Sequence, residues 1–235
     1  MLRIGIVGLD STHAVAFTEL FNAPESAHGR VVAAAHGVET DFPLSVGRRT
    51  AIAREVTDRL GVPLAASIEE LVAAVDAVMI LSADGRAHRA EAGRVLPAGK
   101  PTFIDKPLAP SAREGAEIFQ IAREQRAPCF SASALRFSPE IVTLREVAGG
   151  RATSTHARGP LRTEPFHPAL SWYGIHIVEA LYAVMGPGCR SVTCAATSDA
   201  VKATGHWADG RIGIVEGSGL AGAGFDVTCG QRTGR

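Results

Sequence analysis

Lys106 is one of only three lysines in a chain that carries 21 arginines. It follows the apolar run Pro101-Thr102-Phe103-Ile104 and precedes Pro107, which places it at the end of a buried strand. Ligands of open parallel sheets bind outside those strand ends. A lysine desolvated there has a lowered pKa and is suited to hydrogen bonding or proton work. The plain alternative is a solvated loop lysine. A second candidate is the turn Gly8-Leu9-Asp10-Ser11-Thr12-His13, after the apolar run LRIGIVG. A full dinucleotide fingerprint reads GxGxxG, and only its first glycine is present. Asp10 sets a carboxylate where a pyrophosphate would approach the backbone. Either Asp10 or Ser11 simply caps a helix, or backbone N–H groups with the Ser11 and Thr12 hydroxyls make an anion site. The end of the second strand, where an acidic residue would hold a ribose, carries His36, with Glu39 and Asp41 beyond it. His36 suits a 2′-phosphate, or means that no ribose binds there.

The eight histidines show no HxxxH or HExxH spacing, so no metal site is expected. Cys129, Cys189, Cys194 and Cys229 form no CxxC pair, and are expected to stay reduced. Residues 156–168, HARGPLRTEPFHP, read equally as a cleft lining for a carboxylate or sugar hydroxyls and as an ordinary exposed loop.

The segment DAVMILSADGRAHRAEAGRVLPAGKPTFIDKPLAP (76–110) carries a strand, a turn with Ser82, His88 opening a helix, Ala98-Gly99-Lys100, a strand, and Asp105-Lys106-Pro107. This resembles the Gfo/Idh/MocA family of oxidoreductases (glucose–fructose oxidoreductase, inositol dehydrogenase), whose tripeptide is Glu-Lys-Pro. Ser133-Ala134-Leu135-Arg136-Phe137 is similar to the family's entry into its second domain. SWYGIHIVEALYAVMG (171–186) looks like its helix with an inward histidine. The resemblance covers residues 1 to about 215. It implies NAD or NADP as cofactor, contacted by Gly8, Asp10, Ser11, Thr12, His13, His36, Ser82, His88, Asp105 and Lys106. It implies Lys106 between nicotinamide and substrate, and His176 as the acid/base that moves a proton while hydride leaves the adjacent carbon. Arg136, Trp172 and Tyr173 are the implied substrate residues. The family's aspartate one turn before the histidine is here Trp172, which removes the orienting carboxylate. Glu179, three residues on, is the compensating candidate, and Tyr173 is expected to point about 100° away on a helix. Hydride exchange with a sugar, polyol or related carbonyl compound is the implied reaction. The degenerate turn leaves a second reading, a non-catalytic descendant that binds a small ligand or a protein partner.

The elements that must position these residues follow from periodicity. Strand signals at 2–8, 30–36, 76–82, the run PTFI and APCFSAS alternate with helix signals at 12–22, 47–60, 87–97 and from Ser111 to Arg126. Alternation of this kind gives a parallel sheet with right-handed crossovers. Ser67 with Glu70, and Ser111 with Glu114, are capping boxes. After about residue 135 the pattern changes. A helix is expected at 139–147, a strand at 151–157 and one long helix at 169–185 with Ile177, Leu181 and Met185 along one side. Strands follow at 190–197 and 202–208, with an Asp209-Gly210 hairpin into RIGIVEG and a strand from 225. The predicted fold is α/β: an N-terminal Rossmann-type doubly wound parallel sheet (1–132), then a smaller α+β domain with an antiparallel sheet (133–235). Gly217 to Gly224 reads as a flexible loop. The second domain reads as short for the family, ending in a basic QRTGR tail.

Of 235 residues, 46% are apolar and 20% charged, too apolar for disorder. Basic and acidic residues number 24 each, a balance that argues against nucleic-acid or anionic-membrane partners. No apolar run reaches the roughly 18 residues of a membrane span, and the N-terminus lacks a signal-peptide core. A cytoplasmic enzyme with a small-molecule substrate is expected. The alternating strands at 190–217 imply a homodimer or homotetramer through an apolar sheet face.

Overall fold

The computed structural model describes residues 1–167, 169–219 and 224–231. Residues 220–223 of the glycine-rich segment and 232–235 of the basic tail lie outside the described residues. The chain divides into two compact units, Met1–Ser131 and Ala132–Arg235.

The first unit holds strands β1 (Leu2–Val7), β2 (Gly29–Ala35), β3 (Ala77–Ile80), β4 (Thr102–Ile104) and β5 (Cys129–Ser131), all parallel, in the order β2-β1-β3-β4-β5. Helices α1 (Thr12–Asn22), α2 (Pro43–Arg54), α3 (Ile68–Ala74), α4 (Gly85–Val95) and α5 (Ala112–Glu124) fill the crossovers. The strands read as continuous apolar runs because both faces are covered. Val78 and Ile80 point into one core with Leu71, Val95 and Ile118. Met79 and Leu81 point into the other with Ile6, Ala14 and Val56. Each such side chain contributes roughly 1.5–3 kcal/mol on burial. Both serine caps form: Ser67 Oγ accepts from Glu70 N at 3.1 Å, and Glu70 Oε2 accepts from Ala66 N at 3.0 Å. Ser111 Oγ accepts from Glu114 N at 3.2 Å. The helix expected at 47–60 begins earlier, at Pro43, whose fixed φ suits a first turn. It ends in a π turn over Glu55–Arg59. Ladder bonds continue past the strands, from Gly8 N to Ala35 O, Leu81 N to Val7 O and Asp105 N to Ile80 O, and so fix the loops at the C-terminal edge.

The second unit carries α6 (Pro139–Ala148), β6 (Ala152–Pro160), α7 (Ala169–Trp172), α8 (Ile175–Met185), β7 (Cys189–Ala196), β8 (Ala200–Trp207), β9 (Ile212–Ser218) and β10 (Asp226–Gln231). The sheet order is β10-β6-β9-β8-β7. It is mixed, not antiparallel as expected: β6 runs parallel to β9 while the other pairs are antiparallel. Strands that are not neighbours in sequence set that pair, and local alternation carries no sign of it. Ile177, Leu181, Val184 and Met185 of α8 pack on Ala157, Trp207 and Val215. The long helix expected at 169–185 is two helices, broken at Tyr173-Gly174. Glycine costs about 1 kcal/mol relative to alanine inside a helix, and here a Cβ at Gly174 would lie 2.9 Å from Leu170 Cα. The outer face of the sheet is charged at its centre. Glu216 faces His156, Arg158 and Lys202, and its carboxyl is held down to about 2 by the Lys202 hydrogen bond first. The apolar outer face expected for assembly is therefore interrupted by an ion network.

Candidate active site

In the first unit the site grows from the C-terminal edge of the sheet. Gly8 takes φ +97, and a Cβ there would lie 2.3 Å from Ser82 N, so only glycine fits this turn. Ser11 caps α1, accepting from His13 N at 3.2 Å. Thr12 is exposed at the first position of that helix. Asp10 is turned inward. It is only 7% exposed, and its carboxylate accepts from Ala83 N at 3.0 Å and from the Ser45 hydroxyl. It staples the first turn to the loop after β3 and to α2.

Ser82 and His88 are also turned inward. The Ser82 hydroxyl donates to Glu91 Oε1 at 2.6 Å, and Val38 N donates to the same oxygen at 2.8 Å. The His88 ring nitrogens lie 2.8 Å from Ser82 O and 3.2 Å from Leu108 O. His88 is fully buried and braces the loop. Glu91, which the sequence reading missed, is fully buried as well, and burial pushes its carboxyl above the ordinary value. A Cβ on Gly37 would lie 2.3 Å from both Glu91 Oε1 and Ser82 Oγ, so this glycine too is required by close approach. His36 is exposed at the end of β2. Glu39 pairs with Arg49 at 2.5 Å, and Asp41 with Arg86 at 2.7 Å.

Asp105 follows β4 and is buried; its Oδ2 meets His13 Nδ1 at 2.5 Å. His13 remains partly exposed, with Phe17 edge-on to its ring. Burial draws the neighbouring Lys106 ammonium below its ordinary value, against the opposing charge of Asp105. Lys106, Asp105, His13 and the Gly8 turn thus share one sheet edge.

In the second unit His176 opens α8. Its Nδ1 meets the hydroxyl of fully buried Ser133 at 2.6 Å. Glu179, the candidate for that role, instead pairs with Arg136 at 3.3 Å. Trp172 does not stand one turn before His176 on a common face, because the helix breaks between them. It is 9% exposed, and its ring packs on His167 at 4.9 Å. The same break swings Tyr173 edge-on to His176 at 5.0 Å, not 100° away. Phe225 stacks on Tyr173 at 6.2 Å and meets His176 edge-on at 5.8 Å. The Arg162 guanidinium lies 4.8 Å over the Tyr173 ring. The 156–168 segment thus splits: His156 and Arg158 belong to the charged sheet face, and Arg162 reaches the histidine's surroundings. Ser133 and Phe225 had no local signal as site residues, since their partners lie far off in sequence.

A sequence model of the oxidoreductase family with an NAD-binding Rossmann fold, GFO_IDH_MocA, matches residues 2–133. The chain belongs to this family. It is 34% identical over 114 residues to an inositol 2-dehydrogenase of Cereibacter sphaeroides, a stretch of 47% of this chain but only 30% of that protein. Among solved structures, a UDP-N-acetylglucosamine 3-dehydrogenase of Acidithiobacillus ferrooxidans is similar with TM-score 0.77 at 18% identity, covering 97% of this chain and 73% of that one. GenD2 of gentamicin A biosynthesis, crystallised with NAD, has TM-score 0.74 at 21% identity, covering 96% and 68%. At these identities the structural likeness establishes the fold. Among the described residues, no helix of the family member is long and apolar enough to cross a membrane.

Proposed function

We propose that the chain is a nicotinamide-dependent dehydrogenase or reductase acting on a polyol, sugar or related carbonyl compound. The observation that carries this reading is Lys106, with its pKa lowered by burial, beside the Gly8 turn at the C-terminal edge of a doubly wound sheet. The edge fits a dinucleotide: Gly8, at φ +97 and packed against Ser82, turns the chain tightly after β1, and the Ser11-capped N-terminus of α1 supplies N–H groups for phosphate. Gly8, Ser11, Thr12, His13, His36, Asp105 and Lys106 are the residues proposed to hold it. Bound, it would supply the hydride acceptor or donor.

The chain's own residues must then bind the substrate oxygen and manage its proton. Lys106 is proposed to hold that oxygen. With a lowered pKa its amine also exchanges a proton more readily near neutral pH. His176 is the second polar group, and whether it accepts or donates depends on its tautomer. Arg136, Tyr173 and Trp172 are proposed for the substrate side; buried Trp172 would act through packing. Assembly as a homodimer or homotetramer through the outer sheet face is proposed with it, and its charged centre makes the assembly salt-sensitive.

The test is titration with NADH and NADPH followed by nicotinamide fluorescence, then a polyol panel scored by NAD(P)H formation. Lys106→Ala is expected to lower turnover by about 10²–10⁴-fold with unchanged circular dichroism. Absence of binding by either cofactor would sink the reading.

A further inference from the structure

We propose that Ser133 is the positioning residue of His176 and fixes it as the neutral tautomer with its proton on Nε2, so that His176 meets a ligand as a hydrogen-bond donor. The consequence for catalysis rests on the dehydrogenase reading above; the tautomer does not. The Ser133 oxygen already accepts from Leu135 N at 3.2 Å. Among the described residues the one acceptor within reach of its hydroxyl proton is His176 Nδ1, at 2.6 Å. Ser133 is fully buried, so no bulk water offers another. Were the proton on Nδ1 instead, the imidazole would donate to Ser133 and leave a buried hydroxyl proton without an acceptor. A buried donor left unmade costs about 1–3 kcal/mol. The hydroxyl therefore donates, Nδ1 is bare, and the ring's N–H is on Nε2.

A carboxylate in that place would give the reverse, because it can only accept. Replacing a carboxylate by a hydroxyl thus changes the sign of the histidine as well as its strength. With Nε2–H, His176 cannot take a proton at Nε2 from a carbinol. It suits the oxygen of a carbonyl, or an alkoxide on the way to one, which it stabilises by donation. Tyr173 and Phe225 meet the ring edge-on and restrict its rotation, so the orientation is held by packing as well as by Ser133.

Two-bond ¹H–¹⁵N correlation spectra of the labelled whole chain read the tautomer directly, with the His176 signals assigned by their loss in His176→Gln. The expected spectrum shows Nε2 protonated and Nδ1 bare, with the Nδ1 resonance displaced by the hydrogen bond that it accepts. Ser133→Ala should abolish that displacement, and Ser133→Thr, which keeps the hydroxyl, should retain it. A proton on Nδ1 in the wild type overturns the proposal, as does an Nδ1 resonance unmoved by Ser133→Ala. If Ser133→Ala fails to fold, the wild-type spectrum still decides. Failure of the cofactor titration sinks the dehydrogenase reading and leaves this result standing; Nδ1–H in a protein that binds NADH sinks only this inference.

Discussion

His13 in the first unit and His176 in the second stand at the starts of helices α1 and α8, and each has its Nδ1 tied to a buried side chain. The partners differ. Asp105 is a carboxylate and accepts, so His13 carries a proton on Nδ1. Ser133 is a hydroxyl whose acceptor role is filled, so by our proposal His176 presents the opposite. Residue type and helix position therefore do not set what a histidine can do; the donor balance of the group behind it does. The two regions also differ in how the partner is held. Asp105 is fixed by a ladder bond to β3, whereas Ser133 belongs to a short 3₁₀ turn that it caps itself.

The most forceful way to break the comparison is to install a carboxylate near His176. Trp172→Asp restores the family's residue type, but Trp172 is buried against His167 and separated from His176 by the helix break. The expected result is a loss of about 3–5 kcal/mol, the usual cost of truncating a buried aromatic, with no gain in rate. Denaturant unfolding checks it, and a variant of wild-type stability with faster turnover would show that the carboxylate does reach the ring. In the first region, Asp10→Gly should destabilise, because the Ser45 hydroxyl and Ala83 N lose their acceptor, at about 1–3 kcal/mol for each buried group. NADH affinity should not rise; a tighter dissociation constant at low salt would mean that the carboxylate does repel phosphate.

Asp105→Asn sharpens the contrast more gently. An amide can donate to Nδ1, so His13 should lose its Nδ1–H form and move toward the state proposed for His176. The lost charge-assisted bond is worth about 1.5–3 kcal/mol, read as a lower melting temperature together with a changed His13 nitrogen spectrum. The smallest effect concerns Glu91. Its carboxyl is raised by burial, so the folded state binds this proton more tightly than the unfolded one. That contribution is complete below the ordinary carboxyl value of 4.5 and is lost as pH climbs through the raised value. Glu91→Gln, which keeps an oxygen for Val38 N and Ser82, should match wild type in acid and exceed it increasingly toward neutrality. Parallel melting curves of the two proteins across that range would expose the prediction as wrong.

The first unit was legible because its signals are local. Apolar runs, the Ser67 and Ser111 capping boxes and the Lys-Pro segment each lie within a few residues, and Lys106 came out at the expected sheet edge. What escaped depended on distant partners. Asp10 turns inward because Ala83 N and Ser45 await it, and Glu91 matters because Val38 and Gly37 come to it. In the second unit Gly174 gave too weak a sign to break a helix that the Ile177-Leu181-Met185 stripe supported. The site of Tyr173 and Trp172 shifted with that break.

The parallel pairing of β6 with β9 bears on how the second unit comes into being. Ser154 pairs with Ile212, and on its other edge with Gly230, so both neighbours of β6 are made long after it. While the chain is being synthesised, β6 must wait with two unpaired edges until α8 and the β7–β8 hairpin have emerged. Closing so long a loop costs entropy before any of these contacts repays it, and non-local parallel pairing is slow for that reason. The β7–β8 and β8–β9 hairpins, by contrast, close across short turns and can form first. The expected order is hairpins early and β6 last, which makes the interval before residue 218 appears the time when this chain is most exposed to a wrong partner.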